Sequence, residues 1–109
     1  MPNPAKKMPQ VYTLLVEVGR KAGDGLPDGA TGAGLLVYAA GRDEPEAVRE
    51  TVALLKQADL APLDVTGYGT LDERLAAGDE IDPKERALMQ RALDEDAVIV
   101  AQITPFTGD

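Results

Sequence analysis

Residues 11–40 read "VYTLLVEVGRKAGDGLPDGATGAGLLVYAA", and the fold turns on how this stretch divides. In its first part Tyr12, Leu14, Val16 and Val18 alternate with Thr13, Leu15 and Glu17. That is the two-residue period of a strand with one buried face, spoiled on its polar side by Leu15. Its last part, "LLVYAA" from Leu35 to Ala40, is apolar on both faces, as expected inside a sheet or at a subunit contact. Between them Gly19 to Gly34 holds six of the chain's eleven glycines. Read as a loop, this segment joins the two strands into a long-looped hairpin.

The glycines do not make a phosphate cradle. A dinucleotide fingerprint needs G-x-G-x-x-G opening a helix, so that amide donors and the positive helix end meet the pyrophosphate. Here Gly29, Gly32 and Gly34 read G-x-x-G-x-G and a strand follows. No Lys-Ser or Lys-Thr pair exists to complete a Walker loop. Asp24 and Asp28 supply two carboxylates without the downstream bidentate glutamate of an EF-hand, and Asp-Gly turns account for both. The loop is therefore read first as a connector. Its length still makes it a place for a ligand or partner to touch, with Arg20, Lys21, Asp24 and Asp28 as the contacting residues.

Outward from this hairpin, "GRDEPEAVRETVALLKQADL" carries a helix start: Asp43 caps, Pro45 sits in the first turn and Glu46 completes a capping box. Val48, Val52 and Leu55, with Ala47, Thr51, Leu54 and Ala58, then form one apolar stripe. "LDVTGY" resumes alternation with Leu63 and Val65 inward, and Gly67 and Gly69 predict a bulge or bend around Tyr68. "TLDERLAAGDEI" is read as a short helical turn from the spacing of Leu71 and Leu75. "DPKERALMQRALDED" begins a second helix, with Asp82 as cap, Pro83 at the first helical position and Glu85 closing a box; Leu88, Met89, Ala92 and Leu93 face the core. "AVIVAQI", Ala97 to Ile103, reads as a central strand ended by Pro105.

The order strand, strand, helix, strand, helix, strand predicts an α+β two-layer sandwich, with about four strands and two helices on one face. It resembles the ferredoxin-like architecture in general plan, although that fold runs βαββαβ. The likeness transfers no site residues. Residues 1–9 are read as a flexible arm and residues 10–109 as a single domain.

Composition narrows the chemistry. The chain of 109 residues has neither histidine nor cysteine, so it lacks the commonest general base, the commonest metal ligand and any thiolate. Neither a catalytic residue, a metal site nor a cofactor is assigned. Nineteen acidic residues against eleven basic give a formal charge of −8, which disfavours nucleic-acid and membrane-surface partners. With no signal-peptide core or membrane-length apolar run, the expected compartment is the cytoplasm. Tyr12, Tyr38 and Tyr68 are candidate ligand or partner contacts on the sheet, set against core packing as their ordinary role.

The second sheet face is apolar as well, which asks for a cover. A second copy of the chain is the economical one, with Leu15, Leu35 and Val37 as interface candidates in a homodimer. The favoured function is a non-catalytic oligomeric interaction or regulatory module, with a protein partner possible. A small dimeric cofactor-free enzyme or small-molecule-binding protein is the alternative, and an acidic inhibitor or nucleic-acid mimic a third.

Overall fold

The structure, a computed structural model, describes residues 8–107. Most of the expected N-terminal arm, residues 1–7, lies outside the described residues. The chain is α+β, in the order β1 (Gln10–Val18), β2 (Ala30–Gly41), α1 (Glu44–Gln57), β3 (Pro62–Thr70), α2 (Leu71–Ala76), α3 (Pro83–Glu95) and β4 (Val98–Thr107). The four strands form one open antiparallel sheet in the order β3-β1-β2-β4.

The hairpin expected from residues 11–40 is the centre of this sheet, with β1 and β2 paired from Gln10↔Gly41 to Val18↔Ala33. The second strand begins at Ala30 rather than Leu35, so Gly32 and Gly34 belong to the strand and not to the loop. They are there for proximity. A Cβ on Gly32 would lie 2.4 Å from the Val18 carbonyl oxygen, and one on Gly34 would lie 3.3 Å from the Phe106 ring. Glycine content signalled a close approach of backbone and ring to the strand, which a turn reading mistook for irregular chain.

Alternation divides the sheet's side chains into two cores. Tyr12, Leu14, Val16 and Val18 of β1 join Ala33, Leu35, Val37 and Ala39 of β2 beneath α1, which contributes Ala47 and Leu55. On the other face Val11 and Tyr38 pack against Met89 and Ala92 of α3, with Leu71 of α2 alongside. The expected placement of both helices over one face is thus corrected: α1 covers one face, and α2 and α3 lie on the opposite one. Leu35 and Val37 are 0% exposed under α1, so they are not available to a second chain, contrary to their expected interface role.

β4 is an edge strand rather than a central one. Its apolar run on both faces has a local cause, since Val98 and Val100 meet the α1 core while Ile99 and Ala101 meet the α3 core. It also continues through Pro105 to Thr107, which an edge permits because one side of the strand needs no amide donor. In β3, Val65 packs inward as expected but Leu63 is exposed. The register shift between Gly67 and Thr70 places the predicted bulge around Tyr68, and Gly69 takes φ +94° there.

The helix starts follow the sequence closely. Asp43 accepts from the Glu46 amide at 2.9 Å and Asp82 from the Glu85 amide at 2.7 Å. The full reciprocal capping box occurs at α2, where Thr70 and Glu73 exchange both bonds and hold a six-residue helix in place.

Within α1, Thr51 is fully buried and its hydroxyl has no partner. An unsatisfied buried hydroxyl costs about 1–3 kcal/mol. Thr51→Val keeps the branched shape and removes that cost, so it is expected to stabilise the domain by about 1 kcal/mol, read as a raised urea midpoint at unchanged slope.

Candidate functional site

The β1–β2 connection, Gly19 to Gly29, is a folded clasp. Arg20 donates to the Asp24 carboxylate at 3.0 Å, to the Pro27 carbonyl at 3.0 Å and to the Ala30 carbonyl. Asp24 also accepts from the Lys21 amide at 2.9 Å and the Leu26 amide at 3.0 Å. These backbone bonds, with the Arg20 guanidinium, hold the Asp24 carboxyl down to about 2. Leu26 packs against the α1 core. Of the four loop residues expected to touch a ligand, Arg20 and Asp24 are engaged with each other and the loop, while Lys21 and Asp28 remain exposed.

The three tyrosines do not converge. Tyr12 lies on the α1 face beside Asp43 and Glu73, and burial together with those carboxylates raises its hydroxyl. Tyr68 stands 55% exposed on β3, at the outer side of the sheet. Tyr38 points to the opposite face, where it is 2% exposed and donates to Glu85 Oε2. Burial first, then that carboxylate, pushes the Tyr38 hydroxyl up.

Glu85 is the centre of a polar network that joins β1, β2, α2 and α3. The sequence reading assigned its carboxylate to the α3 cap, but it turns inward to Tyr38 and accepts from Arg74 at 3.0 Å. Arg74 also reaches Thr13 Oγ1 at 3.0 Å and the Asp79 carboxylate at 3.0 Å. One guanidinium thereby ties α2 to β1, α3 and the turn after α2. Its donors satisfy groups that the α2 and α3 layer would otherwise bury alone.

Beyond this network the second face is bare. α3 covers the half of the sheet around Val11, Tyr38 and Ile99. Past it, Leu15 and Phe106 are each 40% exposed, and the Phe106 ring lies across Gly34 towards Leu15. A continuous trough follows. It starts by Asp82, Lys84 and Glu85 at the α3 N-terminus, passes Leu36 and Gln102, crosses Leu15 and Phe106, and ends at Glu17 and Asp64. Glu17 and Asp64 stand directly opposite each other on β1 and β3.

Residues 11–107 match the family described as "Domain of unknown function (DUF8846)". The chain belongs to that family. No curated protein and no solved structure matches this DUF8846 chain. Among its described residues, no group of three or more acidic side chains is placed to hold a metal ion, and no helix is long and apolar enough to cross a membrane.

Leu36, Arg74, Glu85 and Phe106 are the site residues of this DUF8846 domain that sequence reasoning missed. Leu36 was legible: between Leu35 and Val37, the period of two puts it on the face of Tyr38. Phe106 follows a proline taken as the strand's end. Arg74 carries no signal of its own, because its three partners, Thr13, Asp79 and Glu85, come together only in the folded chain.

Arg74→Ala strands Glu85 and Thr13, and is expected to cost about 2 kcal/mol in urea unfolding. For Asp24, the depressed native value means that its contribution is complete above the unfolded value of 3.8 and is lost as pH falls through about 2. The stability gap between wild type and Asp24→Asn should be constant above pH ~5 and close as pH approaches 2, measured by urea midpoints.

Proposed function

We propose that this domain is a non-catalytic oligomeric interaction module whose working surface is the bare half of the second sheet face. The observation that carries this reading is the strip of exposed Leu15 and Phe106 with half-buried Leu36 alongside, beside a face otherwise covered by α3. Contiguous exposed apolar surface on a folded domain marks a contact with another macromolecule.

The groups with chemistry to offer support it from the other side. Tyr38, Glu85, Arg74 and Asp79 satisfy one another, and the depressions along the face are open troughs. An enzyme or small-molecule binder would be better supported by a cavity with unengaged polar groups converging on it. The acidic-mimic reading draws little from the carboxylates of residues 79–95, where Asp79 pairs with Arg74, Asp94 accepts from Gln90 and Glu95 pairs with Arg91. A two-layer ferredoxin-like plan adds nothing to this function, since α3 sits on the face that such a plan leaves open.

Leu15 is the one interface residue expected from sequence that also lies on this strip. Native mass spectrometry should give an oligomer for the wild type and a monomer for Leu15→Asp, with the variant's thermal midpoint close to wild type because the side chain is already half exposed. An oligomer unaffected by Leu15→Asp would sink this choice of surface.

A further inference from the structure

We propose that the depression at one end of the sheet, between the start of β1, the start of α1 and the β3–α2 junction, is a binding site for an aliphatic amine in its ammonium form, with Tyr12, Asp43, Asp72 and Glu73 as its contacts. It shares no residue with the Leu15–Leu36–Phe106 strip and goes beyond the reading of that strip.

The ladder brings the site together. Gln10 at the start of β1 lies opposite Gly41, after which Arg42 and Asp43 lead into α1. Tyr12 pairs with Thr70, from which α2 departs. The resulting depression, about 530 Å³, has one cation in its lining, Arg42, against three anions, Asp43, Asp72 and Glu73. Glu44 is a fourth carboxylate within electrostatic reach of the Tyr12 hydroxyl. None of these five charged groups makes an ion pair among the described residues. Capping uses only part of the set: Asp43 Oδ1 accepts from the Glu46 amide and Glu73 Oε1 from the Thr70 amide. Their second oxygens and the Asp72 carboxylate accept no hydrogen bond among the described residues. The positive helix starts, at most about half a charge each, and Arg42 leave the field anionic.

Tyr12 is the independent sign of a ligand. It is 9% exposed and lines the depression, yet its hydroxyl has no hydrogen-bond partner among the described residues. A buried tyrosine hydroxyl ordinarily finds one. Burial first, then Asp43, Glu73 and Glu44, keeps this one protonated, so its oxygen is a neutral acceptor standing among anionic ones.

Such a set selects its ligand by chemistry. An ammonium group has three N–H donors to divide among the Tyr12 oxygen and neighbouring carboxylates, and the exposed Met8 offers its alkyl chain an apolar contact. A bare metal ion is poorly served, because among the described residues no three carboxylates are grouped closely enough to share one. Carboxylates set apart in this way suit a chain whose cations are also set apart, as in aliphatic diamines and polyamines.

Spermidine is the probe, titrated into the whole ¹⁵N-labelled chain and followed by amide chemical shifts. The shifts should saturate and concentrate at residues 10–12, 42–44 and 70–73. Tyr12→Phe removes the unpartnered hydroxyl and no charge, and should weaken binding about 10-fold. Asp72→Asn should weaken it about 3-fold, and Arg42→Ala, which removes the opposing cation, should strengthen it by as much. Thermal melts of the three variants should stay near wild type, since none of the groups removed makes a hydrogen bond or ion pair within the fold. A Tyr12→Phe variant that binds spermidine as wild type does shows only the general attraction of a polycation to a chain of charge −8, and overturns the site. A wild type unsaturated at about 10 mM, enough to fill a site with a Kd of about 1 mM, also overturns it. Binding that appears only in Lys6→Gln with Lys7→Gln assigns the depression to the chain's own lysines, and overturns it as a site for a free amine.

Discussion

Every other contact in this domain is built on the nine-pair ladder between β1 and β2. Both strands are interior, so each must present apolar groups to two sides, and each side then demands a layer of its own. Leu14, Val16, Leu35 and Val37 set the place of α1; Val11 and Tyr38 set the place of α3. The edge strands follow. β3 pairs with β1 on one side and β4 with β2 on the other, each carrying enough apolar residues to extend the core sideways.

The two layers are held by different means. α1 rests on a continuous apolar contact, offset locally by the unpaired Thr51 hydroxyl. The α2–α3 layer meets a face with Thr13 and Tyr38 in it, and needs the Arg74–Glu85 pair to satisfy them. Such a network does little for net stability compared with apolar packing, but it fixes orientation, because a guanidinium engaged with three side chains has one geometry. The position of Lys84 at the mouth of the trough is a consequence, since the same network anchors the first turn of α3 through Glu85.

Local signals reached the elements and stopped short of the layers. Alternation identified the buried face of β1, caps identified the starts of α1 and α3, and paired glycines identified the bulge in β3. The side of the sheet on which each helix packs depends on which stripe matches which face, and both faces here are apolar. The doubly apolar "VIVA" of β4 was read as centrality in the sheet, when it reports two helices meeting at its edge. For the site, Leu15 was visible as an apolar residue out of phase. Leu35 and Val37 share a run with Leu36, and the period of two sends them to the opposite face from Leu15. Glu85 was hidden by its double use, its amide engaged at the cap while its carboxylate serves the interior.

The radius of gyration, 15.0 Å, exceeds the ~13 Å usual for a chain of about 100 residues, as fits a sheet that runs on past the α3 layer. Strands projecting beyond their supporting layer resemble a cantilever, and ordinarily the free end would fray. Here the Arg20–Asp24 clasp closes that end and Leu26 ties it back to the α1 core. The projecting face is thus held to one shape before anything touches it. Its ordering entropy is spent during folding, so little of it is charged against association.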